Sequence, residues 1–356
     1  MTGITVLGFY DRISTFHTYK PFFTCPGAAH GYRFTFTSSP EYCLTKDTNR
    51  VLILVRMFLK PDEVDWRLLE QLRDKYDRIA FFNGHPGAGL HHSGVLPYVD
   101  LYFNKGLWRD RSLYLQRHYG DELYTEYYHR EFGVEDAPEE TSPSVSDPAQ
   151  LEKLRLGWNV GIGDFPRPKF GQRVGVYLAR KAGLRWSRLF ARHRAAPRTT
   201  NTGAIDVHAR LGFQKRPTRA AQRRIMLEKI QNHPSFLVGP KIAQREYNRE
   251  VRNSKLVFSP FALGELCFRD FEAVHSGALL VKPDMSHMET WPDIFRPGET
   301  YAPVKWDGSN LVSVCEYYLE NQQERVTMVD RAKQVYLQQT AGMCRRFSAT
   351  MREIIG

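Results

Sequence analysis

Short apolar runs alternate along this chain with stretches of helical period. Residues 4–9 and 32–37 read as strands, and 51–55 (VLILV) is a continuous apolar run suited to a parallel sheet covered on both faces. A helix is expected from Pro61 to about Lys75, with Val64, Leu68, Leu69 and Leu72 on its apolar face. Residues 78–82 and 99–103 are further strands, and 107–119 a further helix. Strands alternating with helices of this length predict a doubly wound α/β domain.

The pattern stops at residues 133–148, rich in Pro, Ser, Asp and Glu, and then resumes. Residues 172–193 have helical character, and 196–203 read as a linker. A second α/β unit follows: strands at 204–209, 236–239, 255–258 and 277–281, helices at 218–231, 244–252 and 266–276, and closing helices at 312–319 and 325–355. The division expected is an α/β domain over 1–165, a basic helical segment and linker over 166–203, and a second α/β domain with closing helices over 204–356.

Composition narrows the class. At 356 residues with 42% hydrophobic content, the chain can bury two cores. No apolar run approaches the about 20 residues of a membrane span, and no charged leader precedes an apolar core. The five cysteines, Cys25, Cys43, Cys267, Cys315 and Cys344, are scattered without a C-x-x-C. They suggest neither a disulfide framework nor a zinc site, so a cytoplasmic protein is expected, with a peripheral membrane position left open. The formal charge of +11 points to an anionic partner.

Candidate chemistry sits just after strands, where open α/β sheets bind ligands. The stretch 259–272, SPFALGELCFRDFE, links a strand to a helix through a turn containing Gly264. Such a junction aims backbone N–H groups and a helix dipole at one point, as an anion requires. On a helix begun at residue 266, Glu265, Arg269 and Glu272 fall on one face, by spacings of four and three. An ordinary surface ion pair explains the same spacing. Arg210 follows the strand at 204–209, and Lys215 lies in the loop beyond it. In the first half, Asp11 follows the first strand, and His85 lies among Gly84, Pro86, Gly87 and Gly89 after the fourth. His85, His91 and His92 invite a metal reading, set aside because no carboxylate stands among them at ligand spacing.

Arg269/Glu272/Ala273, the GALLV run at 277–281, IFRPGE at 294–299, Asp307/Leu311 and the helix at 318–325 together resemble the nucleotide-sugar-binding half of GT-B glycosyltransferases of the group-1-like branch. The resemblance covers roughly the last hundred residues. It implies two Rossmann-like domains facing a cleft and a retaining, metal-independent transfer of sugar from a nucleotide-sugar donor to a hydroxyl of a glycan or lipid-linked acceptor. No cofactor beyond that donor substrate is implied. Arg210 and Lys215 would neutralise the donor diphosphate, with Gly264 and Arg269 beside it. Glu272 would accept hydrogen bonds from the ribose, while His85, Asp11 and Glu265 would face the reacting centre. In the family's usual motif the first acid falls one residue earlier, where Gly264 stands; here six residues separate Glu265 from Glu272.

From Phe165 to Arg198 the chain carries ten Lys and Arg and no acid. Trp186, Leu189 and Phe190 lie among them. This segment suits an anionic membrane surface, or else cations that are solvated or paired with the acids of 133–148. No nucleic-acid recognition motif is present, and no nucleic-acid partner is expected for the enzyme. Two classes remain: the sugar-transfer enzyme, and a basic membrane- or nucleic-acid-binding module on the same scaffold without transfer activity.

Overall fold

The run Val51–Val55 (β3) lies near the middle of a six-stranded parallel sheet and is buried along its whole length. β1 (Thr2–Leu7), β2 (Tyr32–Thr37), β4 (Arg78–Phe82), β5 (Leu101–Asn104) and β7 (Leu154–Leu156) complete that sheet, in the order β2-β1-β3-β4-β5-β7. A second, five-stranded parallel sheet has the order β13-β11-β10-β8-β9. Its strands are β8 (Ile205–His208), β9 (Phe236–Leu237), β10 (Ser254–Phe258), β11 (Leu279–Pro283) and β13 (Ala302–Val304). The computed structural model describes all residues except 26, 28–29, 56–63, 138–143, 166–168, 192–196, 198–202 and 214. The architecture is the expected pair of doubly wound Rossmann-like units.

The two units share a seam. β6 (Gly106–Trp108) of the first pairs antiparallel with β12 (Met288–Thr290) of the second. The Leu266 N–H donates to the Pro86 carbonyl at 2.9 Å, joining the loop after β4 to the turn after β10. A Cβ at Gly264 would lie 2.4 Å from the Gly87 nitrogen, so only glycine lets these two backbones meet. One apolar cluster, including Trp108, Tyr124, Phe261, Leu266 and Met288, runs through the contact.

Three expectations change. The helix expected at 107–119 is β6 followed by a short 3₁₀ turn, Arg111–Leu115; the helix lies later, at Leu123–Phe132. The apolar residues Leu107 and Trp108 are buried by the seam, which a period count along one segment does not register. Of the helix expected from Pro61, residues 61–63 lie outside the described residues, and the helix observed is Trp66–Lys75, capped by Asp65.

The last helix, Met343–Ile355, does not stay with the 204–356 unit. Its Phe347, Met351 and Ile354 pack in the first unit's core with Ile4, Val6 and Phe22. This return also overturns the cysteine reading: Cys25 and Cys344, 319 residues apart in sequence, are disulfide-bonded. Sequence spacing hid the pair because only the crossing helix brings the two together, and the cytoplasmic assignment loses its basis in cysteine usage.

The seam makes a direct prediction. Gly264→Ala should destabilise the protein by about 1–3 kcal/mol in urea unfolding, through overpacking against Gly87. A variant as stable as the parent would show that the two loops do not touch in solution.

Candidate active site

A cavity of about 630 Å³ lies between the units, at the carboxyl ends of both sheets. The first unit contributes Asp11 after β1, Gly84 and Pro86 after β4, and Lys105 after β5. The second contributes Arg210 after β8, Lys241 and Tyr247 beyond β9, and the turn and helix that follow β10. Lys105, Lys169, Arg210, Arg223, Lys241 and Arg269 stand on the wall against two carboxylates, Asp11 and Glu272. The wall is therefore strongly electropositive and suits a multiply charged anion.

The helix after β10 is Phe268–Ser276, two residues later than expected. Asp270 causes the delay: its carboxylate accepts the Cys267 N–H at 2.8 Å and so caps the helix. The same carboxylate accepts from Ser259 Oγ at 2.5 Å and pairs with buried Lys282 at 3.0 Å, although burial alone raises its pKa. With the start at Phe268, Arg269 and Glu272 share the helical face on the cavity wall, while Glu265 precedes the helix and turns away from it. The three do not share one helical face as the spacing suggested.

Arg269, Glu272, Arg210 and Asp11 on this wall each have a partner within the fold. Arg269 donates to the carbonyls of Phe258 (3.2 Å) and Arg210 (2.6 Å), which pins its guanidinium across two strand ends. Glu272 accepts from Tyr247 Oη at 2.8 Å, and burial pushes that phenol up. Arg210 reaches Glu250 with two nitrogens, at 2.7 and 2.8 Å, so its charge is already matched within the fold. The pairing holds Glu250 below the usual carboxylate range. Beside them, burial and then Arg269 lower His208 to about 4, keeping it neutral. Asp11 accepts the Ser14 N–H at 2.6 Å.

Of the residues singled out from sequence, Asp11, Arg210, Arg269 and Glu272 meet on this wall, and His85, Glu265, Gly264 and Lys215 do not. Lys215 is exposed. Sequence reasoning missed Lys105, Lys241 and Arg223. The first two follow strands and were open to the rule applied to Arg210; Arg223 lies within the helix Pro217–Ile230 and carried no such signal.

His85 and Glu265 belong to a buried cluster behind the wall, at the seam. Glu122 and Glu265 are both fully buried, and Glu122 receives the Gly89 N–H at 2.8 Å. His85 Nδ1 lies 3.2 Å and His91 Nε2 3.3 Å from Glu122 Oε1, while His287 Nε2 lies 3.4 Å from Glu265. Burial, and next the Glu265 charge, raise the Glu122 pKa well above its ordinary value. A ligand-type oxygen of Asp121 comes within 4.8 Å of nitrogens of His85 and His91, a proximity that sequence spacing does not reveal. Asp121 already pairs with Arg219 and lies 4.0 Å from Arg216, and both charges oppose a cation there.

The Glu122 shift carries a sign. Its pKa is higher folded than unfolded, so its contribution to stability is complete below the ordinary value of 4.5 and falls as pH rises from there. Glu122→Gln should therefore flatten the decline of melting temperature from acid to neutral pH and raise the melting point at neutral pH. An unchanged pH profile in that variant would mean that Glu122 is ionised in the fold.

Comparisons with known proteins agree with this architecture. No family model matches the chain, and neither does any curated protein. Among solved structures, sucrose-phosphate synthase from Thermosynechococcus elongatus superposes with a TM-score of 0.50 at 10% identity, over 100% of this chain and 99% of that one. Anabaena HepE in complex with UDP-glucose gives a TM-score of 0.45 at 9% identity, over 99% and 100% of the two chains. T4 phage BGT with its UDP-glucose substrate gives 0.47 at 11%, over 99% of each. At such identities the likeness concerns the fold, and the fold of this chain is that of the GT-B glycosyltransferases.

Proposed function

We propose that the protein is a glycosyltransferase that moves a sugar from a nucleotide-activated donor to a hydroxyl of a glycan or lipid-linked acceptor. The observation that carries this reading is the charge of the cavity wall: six cations face two carboxylates at the carboxyl ends of two parallel sheets. A nucleoside diphosphate fits that balance. Arg269, Lys241 and Arg223 receive the diphosphate, and the charge that grows on it as the glycosidic bond breaks meets cations already in place. Arg223 is pinned by the Phe261 carbonyl at 3.0 Å, so its charge is positioned before any ligand arrives. Arg210, committed to Glu250, acts by holding the Arg269 guanidinium through its carbonyl.

Glu272, oriented by Tyr247, takes the ribose hydroxyls, as the resemblance implies. Asp11 lines the same cavity from the first unit, the side proposed for the acceptor, with one oxygen fixed by the Ser14 N–H. The other carboxylate oxygen is the group proposed to accept a hydrogen bond from the acceptor hydroxyl. Because protein cations compensate the leaving diphosphate, the reaction proposed needs no divalent metal; retention at the anomeric carbon is proposed from the resemblance alone.

A thermal-shift panel of nucleoside diphosphates tests the donor site. At least one should stabilise the parent protein, and Arg269→Ala should weaken that nucleotide about 10- to 100-fold, the loss expected for a charged hydrogen-bond donor. Glu272→Gln should weaken it too, while leaving the nucleotide-free melting point near the parent's. If both variants keep parental affinity, the donor site lies elsewhere. Transfer should also survive a chelator. Complete loss on chelation, restored by magnesium or manganese, would show that the wall cations do not suffice.

A further inference from the structure

Within the acid-free run between Phe165 and Arg198, residues 169–190 form the helix Lys169–Ala182 and the 3₁₀ segment Leu184–Phe190, packed against each other. Their inner sides hold Gln172, Val176, Ala179, Leu184 and Ser187, all buried, and Ser187 Oγ donates to the Gly175 carbonyl at 3.2 Å. Their outer sides combine two residue kinds that an ordinary solvated surface keeps apart. Phe170 is 82%, Tyr177 61%, Trp186 42% and Leu189 71% exposed. Arg173, Lys181, Arg185 and Arg188 are exposed beside them. On the helix, residues 170, 173, 177 and 181 recur at spacings of three and four, which places aromatic and cationic side chains on one solvent-facing stripe.

Among the described residues, no ion pair is formed by Arg173, Lys181, Arg185 or Arg188. Arg180 is different: it donates to the Tyr10 carbonyl at 2.6 and 2.9 Å, tying the helix to the loop that carries Asp11. The surface also reaches the cleft. Lys169 lines the cavity immediately before exposed Phe170, and Ile13 and Leu263, each 40% exposed, line it as well.

We propose that the outer face of residues 169–190 docks on an anionic lipid surface and brings the mouth of the cleft to the bilayer. Charge complementarity selects the occupant: four exposed cations that form no ion pair among the described residues attract anionic headgroups, and the exposed Phe170, Trp186 and Leu189 give an apolar component that enters the headgroup boundary. The exposed Phe170, Trp186 and Leu189 suit the headgroup boundary of a bilayer better than a phosphate backbone, so lipid is favoured over a polynucleotide. Docking stands independently of the transfer reading. Only its consequence, delivery of a lipid-linked acceptor to the cleft, rests on that reading.

The test is co-sedimentation of the full chain with vesicles of phosphatidylcholine, with and without phosphatidylglycerol, at low and high salt, beside a parallel titration with double-stranded DNA. The expected result is binding to anionic vesicles only, weakened by salt. The triple reversal Arg173→Glu, Arg185→Glu, Arg188→Glu should lower vesicle affinity more than about 100-fold, at about fivefold or more per cation. The quadruple change of Phe170, Tyr177, Trp186 and Leu189 to Ala should also release the protein, and because those side chains are exposed its melting point should match the parent's. Nucleoside diphosphate stabilisation should be unaltered in both variants, which separates failure of docking from failure of the donor site. No binding at low salt, equal binding to neutral vesicles, undiminished binding by either variant, or tighter binding to DNA than to anionic vesicles would each overturn the proposal.

Discussion

The organising constraint in this molecule is the approach of two glycine-bearing loops, one from each sheet. Gly264 and Gly87 meet at a distance that no side chain would survive, and the Leu266 N–H closes on the Pro86 carbonyl beside them. The β6–β12 ladder and the apolar cluster around Trp108 and Phe261 reinforce that contact. With the seam closed, the carboxyl ends of both sheets open into one cavity; without it, Asp11 and Arg269 would belong to separate surfaces. The seam also buries Glu122 against Glu265, one carboxylate from each unit. Its integrity is therefore coupled to protonation, with Glu122 held above its ordinary pKa by burial.

The cavity's electrostatics follow from what the fold has already neutralised. Glu250 takes the Arg210 guanidinium, and Asp270 takes Lys282 below the floor. Arg269, Lys241 and Arg223 lie on the wall with no ion pair among the described residues, and only Asp11 and Glu272 oppose them there. An electropositive wall between two Rossmann-like units is a chemical statement about the ligand, which the fold by itself is not.

Much of this was legible in the sequence where periodicity and position agreed. The runs at 51–55 and 78–82 and the helix at 244–252 are where their patterns placed them, because the contacts that bury them lie within their own unit. Arg269 and Glu272 were found because they follow a strand and share a helical face. The misses share a cause: long-range contacts that leave no local signal. Glu265 reads as the first residue of a helix but precedes it, because Asp270 caps two residues later. Cys25 and Cys344 look unrelated until the terminal helix crosses back. Trp108 suggests a helix, yet lies in a strand that exists only because the second unit supplies its partner.

The most direct test of the account is a crystal structure of the protein soaked with the nucleoside diphosphate that stabilises it best. The account places the diphosphate in the interdomain cavity within hydrogen-bonding distance of Arg269, with Lys241 or Arg223 completing its shell and the ribose against Glu272. A nucleotide bound outside that cavity, or inside it with its phosphates turned away from Arg269, would contradict the assignment of this wall as the donor site.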